Sequence, residues 1–289
     1  FIEYNRQDVM LIAKFDKKLR FLDLANELAH DNTVLLATTM GAVAVTEQAI
    51  INDAHRRGMI VPNRRGRDEK ESTQAAGAYV AYPKRGMHEY VGAIDINSLY
   101  PSAIRALNMG PETIVGQFRP TMTDHYIKEK IAAGSSFADA WENMFGTLEY
   151  QAVMSNELGT EITIDWEGGE TTVHSAMEVW HMIFDSNQPW IMSANGTIFT
   201  YEKEGIIPGL LKRWYAERKE LQAKKKDATD PRQIAFWDKR QLVKKINLNS
   251  LYGAILNPGC RFFDKRIGQS TTLTGRSIAK HMDAYVNEC

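Results

Sequence analysis

The octapeptide Asp95-Ile96-Asn97-Ser98-Leu99-Tyr100-Pro101-Ser102 follows directly on an apolar run, YVGAI, at residues 90–94. The apolar run predicts a β-strand, and the small polar residues after Asp95 predict a turn that exposes backbone N–H groups. A carboxylate at a strand end beside such N–H groups can hold a cation and a polyphosphate together. The octapeptide therefore predicts a metal and phosphate site.

A second polar stretch, KINLNSLYG at residues 245–253, lies on a predicted helix. Gln241, Lys245, Asn249 and Tyr252 are spaced by four, four and three residues, so they share one helix face. Such a face can grip a triphosphate through its ammonium group while a base pair stacks on the ring. A single charged residue on a helix is ordinarily a solvated surface residue, so the interpretation depends on the whole set. The apolar residues predicted to anchor the helix are Leu242, Ile246, Leu251 and Ala254.

The chain of 289 residues has a formal net charge of −1, which excludes nucleic-acid binding through a global basic charge. Its basic residues are concentrated locally, since residues 212–245 contain twelve Lys or Arg and five Asp or Glu. The two cysteines, Cys260 and Cys289, are too few for a disulfide scaffold or a cysteine-rich zinc site, which favours a reducing compartment. The most apolar run, residues 34–45, is too short to span a bilayer.

The first half of the chain changes from a helical to an extended pattern. Apolar periodicity predicts helices over residues 9–58, and a polar loop follows at residues 64–74. Strands are predicted at residues 78–82 and 90–94, joined by a turn, with a short helix at residues 101–107.

The middle of the chain predicts an insertion packed on a core, at residues 119–192, to which no task is assigned. It contains a predicted helix near residues 126–133 and a predicted hairpin over residues 161–173 around Gly168-Gly169. A turn and a strand are predicted next, at residues 193–201.

Two basic helices are predicted at residues 210–226 and 232–252, and the sequence DATDP between them breaks the helix. Helices joined by so short a connection form an antiparallel hairpin. The sequence RFFD at residues 261–264 predicts a return to the sheet, and residues 273–286 predict a closing helix.

The two polar stretches together resemble two signature motifs of family B DNA polymerases. The first is the D-x-x-S-L-Y-P-S motif of the palm and the second is the K-x-x-x-N-S-x-Y-G motif of the fingers. The flanking sequences resemble those of the replicative polymerases of tailed bacteriophages. These flanks are residues 111–118, 193–196, 205–208 and 261–264.

This resemblance implies an α+β fold: a partial polymerase palm, built as an antiparallel sheet with helices, a helical-hairpin fingers domain and a helical N-terminal connector. The implied domains are residues 1–8 (end of a 3′-5′ exonuclease domain), 9–75 (connector and linker), 76–204 (first part of the palm, with the insertion at 119–192), 205–257 (fingers) and 258–289 (second part of the palm, truncated).

The resemblance also implies roles for the residues of the first motif. Asp95 would be catalytic and bind two Mg²⁺ ions, with the backbone carbonyl of Ile96 as a further metal ligand. Ser98 and Leu99 would offer backbone N–H groups to the triphosphate. Tyr100 would lie under the sugar of the incoming nucleotide and exclude a 2′-hydroxyl.

For the fingers, the resemblance implies a phosphate clamp and a base-pair contact. Arg218, Lys245 and Asn249 would hold the phosphates of the dNTP. Tyr252 and Gly253 would pack against the nascent base pair of the primer-template DNA. Two metals and a set of positive groups suit phosphoryl transfer, which needs charge neutralisation and positioning rather than covalent help.

The chain also departs from the family pattern. The family supplies a second palm carboxylate in a D-T-D turn after the fingers, and no D-x-D occurs between Gly253 and Cys289. Tyr4 and Asp8 match the last exonuclease motif, Y-x-x-x-D, as an exonuclease remnant. We therefore expect the chain to be inactive alone and to need the remainder of the polymerase chain or a complementing subunit.

The expected activity of the completed enzyme is template-directed DNA synthesis, the transfer of dNTP to a primer 3′ end, in the cytoplasm of an infected bacterial host. No membrane partner is expected. The alternative is a non-catalytic DNA- or nucleotide-binding fragment, in which the basic helices bind DNA by charge alone.

Overall fold

The computed structural model describes residues 1–64, 78, 83–141 and 146–288. In chain order the described α-helices are α1 (Ile2–Leu19), α2 (Phe21–Asn32), α3 (Ala42–Arg56), α4 (Leu99–Ala106), α5 (Thr121–Ala132), α6 (Phe137–Trp141), α7 (Thr147–Met154), α8 (Ala176–Trp180), α9 (Ile206–Asp227), α10 (Pro231–Ile255) and α11 (Lys265–Glu288). The described strands are β1 (Ile114–Phe118), β2 (Glu161–Trp166), β3 (Thr171–Ser175), β4 (Trp190–Met192) and β5 (Thr197–Thr200).

The chain divides into two compact units. The helical unit consists of Phe1–Lys70 and Leu210–Phe263, and the sheet unit consists of Glu71–Gly209 and Asp264–Cys289. The combination of an antiparallel sheet with helices confirms the predicted α+β class. Among the described residues no helix combines the length and the apolar character needed to cross a bilayer.

The helical unit is built on the contact of α3 with α10, and α2 packs beside both. The predicted helices of residues 9–58 are confirmed as α1, α2 and α3. The buried face of α3 contains Val45, Ala49 and Ile50, whose spacing follows the helical period. The segment is helical because the helical conformation places these apolar side chains on one face, which packs against α10.

The two long basic helices form the predicted hairpin, α9 followed by α10. Asp230 caps α10 by accepting a hydrogen bond from the backbone N–H of Arg232 at 2.9 Å, and Pro231 occupies the first turn, where no N–H is needed. Lys225 and Asp238 form an ion pair at 2.6 Å across the hairpin. Short capping signals at the turn therefore define the hairpin, as predicted.

The sheet unit contains a five-stranded antiparallel sheet of order β3-β2-β1-β5-β4 among the described strands. The predicted hairpin of residues 161–173 is confirmed as β2 and β3, and Gly169 provides the positive φ of 85° that its turn requires. The strand predicted within residues 193–201 is β5, and the closing helix is α11. The buried core of this unit consists of Phe118, Ala152, Val153, Ile162, Ile164, Ala176, Val179, Ile183, Met192 and Ile198.

The strand predicted at residues 90–94 is wrong. Residues 91–96 have no strand pairing, and the side chains of Tyr90, Val91 and Ile94 are exposed. An apolar run becomes a strand only when a neighbouring strand pairs with its backbone, and no described residue does so here. The companion strand predicted at residues 78–82 lies outside the described residues except for Ala78, as does most of the predicted loop at 64–74.

Two smaller predictions are also wrong. Residues 261–264 form the turn that leads into α11 rather than a strand, and Phe262 and Phe263 are buried within that turn. Leu242 does not anchor α10, because it is exposed while the neighbouring Val243 is buried. In both cases the local conformation, or the side of the helix that is buried, depends on tertiary contacts that the apolar pattern does not define.

Candidate functional site

In the sheet unit, the octapeptide at Asp95–Ser102 contains a turn at Asn97 and Ser98 and continues into the first residues of α4. Ser98 is the residue before the helix, with φ 56° and ψ 48°, a left-handed conformation that residues with a β-carbon seldom adopt. Its hydroxyl donates to Asn97 Oδ1 at 3.2 Å instead of capping the helix. The first-turn N–H groups of α4 thus lack a side-chain cap from Ser98, and the positive end of the helix dipole faces this turn.

Asp95 lies four residues before α4 and is exposed, and Ile96 is half-buried. Among the described residues no group of three His, Cys, Asp or Glu side chains is placed to hold a metal. Mg²⁺ ordinarily binds one or two carboxylates and completes its shell with water and substrate phosphates. The donors present, one carboxylate and one backbone carbonyl, therefore fit one part of a Mg²⁺ site that a nucleotide and a further carboxylate would complete.

Tyr100 lies in the first turn of α4 and is half-buried. Helix α4 is anchored by Pro101, Ala103 and Ile104, which are buried. The helix packs against α11 within the sheet unit. The ring of Tyr100 is thus attached to a fixed helix rather than to the exposed segment that carries Asp95.

In the helical unit, α10 has one buried and one exposed face. Lys245, Asn249 and Gly253 are exposed and spaced by four residues, so they form one stripe. Gln241 and Tyr252 are half-buried beside that stripe. The buried face consists of Val243, Asn247, Leu248, Leu251, Ala254 and Ile255. The predicted polar face therefore exists as an accessible surface.

A row of ion pairs joins α10 to α2 on a neighbouring side of the helix. The pairs are Lys239–Asp23 at 2.5 Å, Arg240–Glu27 at 3.3 Å and Lys244–Asp31 at 2.5 Å. The acidic partners are spaced by four residues on α2 and so form a matching stripe. The hydrogen bond from Lys239, the largest cause, holds the pKa of Asp23 below its ordinary value. Three cationic side chains of α10 are thus paired with carboxylates of the same unit.

Lys245 differs from these neighbours. Its side chain is exposed and forms no ion pair or hydrogen bond with the part of the chain that the structure describes. The adjacent Lys244 is 13% exposed and lies between two carboxylates, Asp31 and Glu217, at 2.5 and 2.6 Å. An exposed ammonium group without an internal counter-ion can bind an external anion, and no ion pair within the chain has to break for it to do so. Lys245 is therefore accessible to an external anion.

Arg218 on α9 faces α10 across the hairpin. Its Nε donates to Gln241 Oε1 at 3.4 Å, and Gln241 Nε2 donates in turn to Asp238 Oδ1 at 3.0 Å. A guanidinium group has five N–H donors, and this bond uses one of them. The arrangement orients the Arg218 side chain while leaving donors that can bind phosphate oxygens in pairs.

Tyr4 and Asp8 are both exposed on α1, four residues apart on one face. Helix α1 has no buried residue. The exonuclease role suggested by these two residues stays a prediction.

The structure also reveals a residue that the sequence reasoning missed. Asp53 is buried on α3 and accepts ion pairs from Arg213 of α9, at 2.5 Å, and from Arg56, at 3.2 Å. It follows Ala49 by four residues and so falls on the apolar face of α3. A carboxylate on a buried helix face needs a cation, which is the signal that could have identified it.

Comparison with known proteins identifies the family of the chain. Residues 32–289 match the sequence profile of DNA polymerase family B. The chain is 25% identical over 296 residues to the DNA-directed DNA polymerase of Escherichia phage RB69, and 26% identical over 314 residues to that of Enterobacteria phage T4. Both alignments cover 100% of this chain and 32% of the relative, so the chain spans about a third of the length of these relatives.

A similar fold occurs in the family B DNA polymerase of the hyperthermophilic archaeon Pyrobaculum calidifontis. The TM-score is 0.60 at 20% identity, covering 95% of this chain and 28% of that polymerase. The chain belongs to DNA polymerase family B. The predicted resemblance to family B polymerases of phage type is thereby confirmed.

Proposed function

We propose that this chain supplies the dNTP-binding face and one metal-binding carboxylate of a template-directed DNA polymerase. Membership of family B and the phage DNA-directed DNA polymerases among its relatives support DNA synthesis as the overall reaction. The observation that carries the assignment within the chain is the stripe of Lys245, Asn249 and Gly253. This stripe is exposed on a helix whose neighbouring cations Lys239, Arg240 and Lys244 are ion-paired.

Different residues of the chain would bind the phosphates of the nucleotide through different groups. Lys245 and Arg218 would neutralise the triphosphate, and Asn249 would add a neutral hydrogen bond to it. In the sheet unit, the N–H groups of Ser98 and Leu99 at the start of α4 would offer a positive helix dipole to phosphate oxygens. This division concentrates positive charge where negative charge has to be stabilised in phosphoryl transfer.

Asp95 and the carbonyl of Ile96 would hold Mg²⁺ against the triphosphate. When bound, a pair of such ions stabilises the attacking and leaving oxygens of the transfer. Asp95 would orient the phosphates by this contact, and Tyr100 would close the space under the deoxyribose. Tyr252 and Gly253 would present a ring and a flat backbone to the base pair, since an aromatic ring can stack on any base.

A second carboxylate is required for this chemistry, and we assign it to a polymerase segment or subunit outside this chain. We refer to the chain together with that segment as the completed polymerase. The concentration of Lys and Arg at residues 212–245 supports a second candidate for the chain by itself, a non-catalytic DNA- or nucleotide-binding module. The two candidates differ in whether primer extension depends on Asp95.

The test compares primer extension by the completed polymerase with and without Asp95→Asn. We expect extension to be lost while affinity for primer-template DNA is retained, because the substitution removes a metal ligand and leaves the basic helices intact. Glu89→Gln is the matched control, since Glu89 is an exposed carboxylate on the same segment, six residues earlier. Equal extension by both variants would refute the metal role of Asp95 and favour the binding module.

A further inference from the structure

Tyr100 and Gly275 meet where α4 packs against α11 in the sheet unit. A β-carbon built on Gly275 would lie 2.9 Å from Cε1 and 3.3 Å from Cδ1 of the Tyr100 ring. Because carbon atoms pack at about 3.5–4.0 Å, the ring occupies space that any larger residue at position 275 would need. We propose that Gly275 is a positioning residue, which sets how far the Tyr100 ring reaches toward the sugar of the nucleotide.

This inference rests on the proposed function, because it is there that Tyr100 is assigned to the sugar. Gly275 lies on a separate helix, 175 positions after Tyr100, and would affect sugar specificity without touching the nucleotide. Glycine is otherwise unfavourable within a helix, by about 1 kcal/mol relative to alanine, so its presence in α11 requires a reason. The close approach of an aromatic ring is such a reason.

Helix α11 is itself held in place, so it can act as a fixed support. Ser270 is completely buried and donates to Asn195 Oδ1 at 2.8 Å, and Asn195 Nδ2 donates to the backbone carbonyl of Arg266 at 3.4 Å. The N–H of Ala194 donates to Thr274 Oγ1 at 3.3 Å, one residue before Gly275. These bonds connect α11 to the turn before β5, and moving α11 would break them.

The face of α11 that meets α4 is also defined by a second contact. Thr271 precedes Gly275 by four residues, and its hydroxyl contacts Met109 Sδ at 3.5 Å, just beyond α4. The same β-carbon on Gly275 would additionally lie 3.5 Å from Cδ2 of Leu99. Both helices are therefore fixed on either side of the ring, and a β-carbon at position 275 has to be accommodated by the ring.

The direction of that movement follows from burial. Gly275 is buried and Tyr100 is half-buried, so the accessible part of the ring faces away from α11. Restoring an ordinary contact requires the ring to move by about 0.6–1.1 Å away from α11. That movement brings the ring into the space assigned to the deoxyribose, which would make the pocket tighter.

The test is Gly275→Ala in the completed polymerase, measured as kcat/KM for one dNTP and for the matching ribonucleotide. We expect kcat/KM for the dNTP to fall about ten-fold, since a misplacement near 1 Å can cost that much or more. Use of the ribonucleotide should fall at least as much, so sugar discrimination is kept or increased. Tyr100→Ala should have the opposite effect and admit ribonucleotides.

The double variant isolates the contact. In a Tyr100→Ala background the ring is absent, so Gly275→Ala should change kcat/KM by less than about two-fold. Ser277→Ala is the control for a change of helix propensity, since Ser277 is exposed on the same helix. An equal effect of Gly275→Ala with and without the ring would overturn the positioning role, and so would no effect in the presence of the ring.

Thermal unfolding of the chain itself gives a second readout. If Gly275→Ala lowers the Tm, Tyr100→Ala should restore much of the loss in the double variant, because the clash is removed; a loss that is not restored would contradict the contact. Tyr100→Ala that leaves sugar discrimination unchanged would instead refute the proposed function of Tyr100, and the inference would fall with it. The two failures are therefore distinguishable.

Discussion

Lys244 and Lys245 are adjacent in sequence but have opposite surroundings, and replacing each with alanine should separate stability from nucleotide use. Lys244→Ala removes the cation between Asp31 and Glu217, whose side chains are 22% and 37% exposed. Exposed ion pairs contribute about 0–1 kcal/mol, and breaking a buried pair costs about 3–5 kcal/mol. For these partly exposed groups we expect the free energy of unfolding to fall by about 2 kcal/mol.

Lys245→Ala should behave in the opposite way. The side chain is exposed and has no partner among the described residues, so the free energy of unfolding should change by no more than about 0.5 kcal/mol. A charge-assisted hydrogen bond to phosphate contributes about 1.5–3 kcal/mol, so kcat/KM for the dNTP should fall about 10- to 100-fold.

The assay pairs urea denaturation of each variant with single-nucleotide incorporation by the completed polymerase. Incorporation is measured well below the unfolding temperature of Lys244→Ala, where we expect that variant to keep its kcat/KM within a few-fold. The reasoning is refuted if Lys245→Ala lowers the urea midpoint as much as Lys244→Ala does. It is equally refuted if Lys245→Ala leaves kcat/KM for the dNTP unchanged.

Two further predictions concern the fold. Gly196→Ala should lower the free energy of unfolding by about 3 kcal/mol, because a β-carbon there would clash with the ring of Phe118. Gly159 has a similar positive φ but open space around it, so Gly159→Ala should lower the free energy of unfolding much less. Thermal unfolding of the two variants measures this difference. The pKa of Asp238 is held below its ordinary value, chiefly by the hydrogen bond that Lys225 donates to it. The ionised carboxylate therefore stabilises the fold above the ordinary pKa, and this stabilisation is lost as the pH falls through the lowered pKa. Urea midpoints between about pH 5 and pH 2.5 should therefore fall less for Asp238→Asn than for wild type, and parallel curves would contradict the prediction.

The helices and the β-hairpin were predictable because their signals are local. The capping by Asp230 with Pro231 fixes the start of α10, and the glycine pair at residues 168–169 fixes the turn between β2 and β3. The spacing of Lys245 and Asn249 predicted their common face, and the structure confirms that both are exposed on it. These features depend on residues within one or two turns of each other.

The remaining features depend on distant partners. The apolar run at residues 90–94 has strand propensity but forms no strand among the described residues, since pairing needs a second segment. Lys244 and Lys245 are adjacent lysines, and their different surroundings come from Asp31 on α2 and Glu217 on α9, which both pair with Lys244. Gly275 carries no sequence signal beyond being a weak helix former, because its reason is a ring from another helix.

The central claim is that Asp95 is a metal-binding carboxylate of a polymerase. The most direct measurement is the pre-steady-state rate of one dNTP incorporation by the completed polymerase, at saturating Mg²⁺, with and without Asp95→Asn. We expect the rate to fall at least about a thousand-fold, because a metal contributes several kcal/mol to the transition state, while the Kd for primer-template DNA is unchanged. A rate within a few-fold of wild type would contradict the claim.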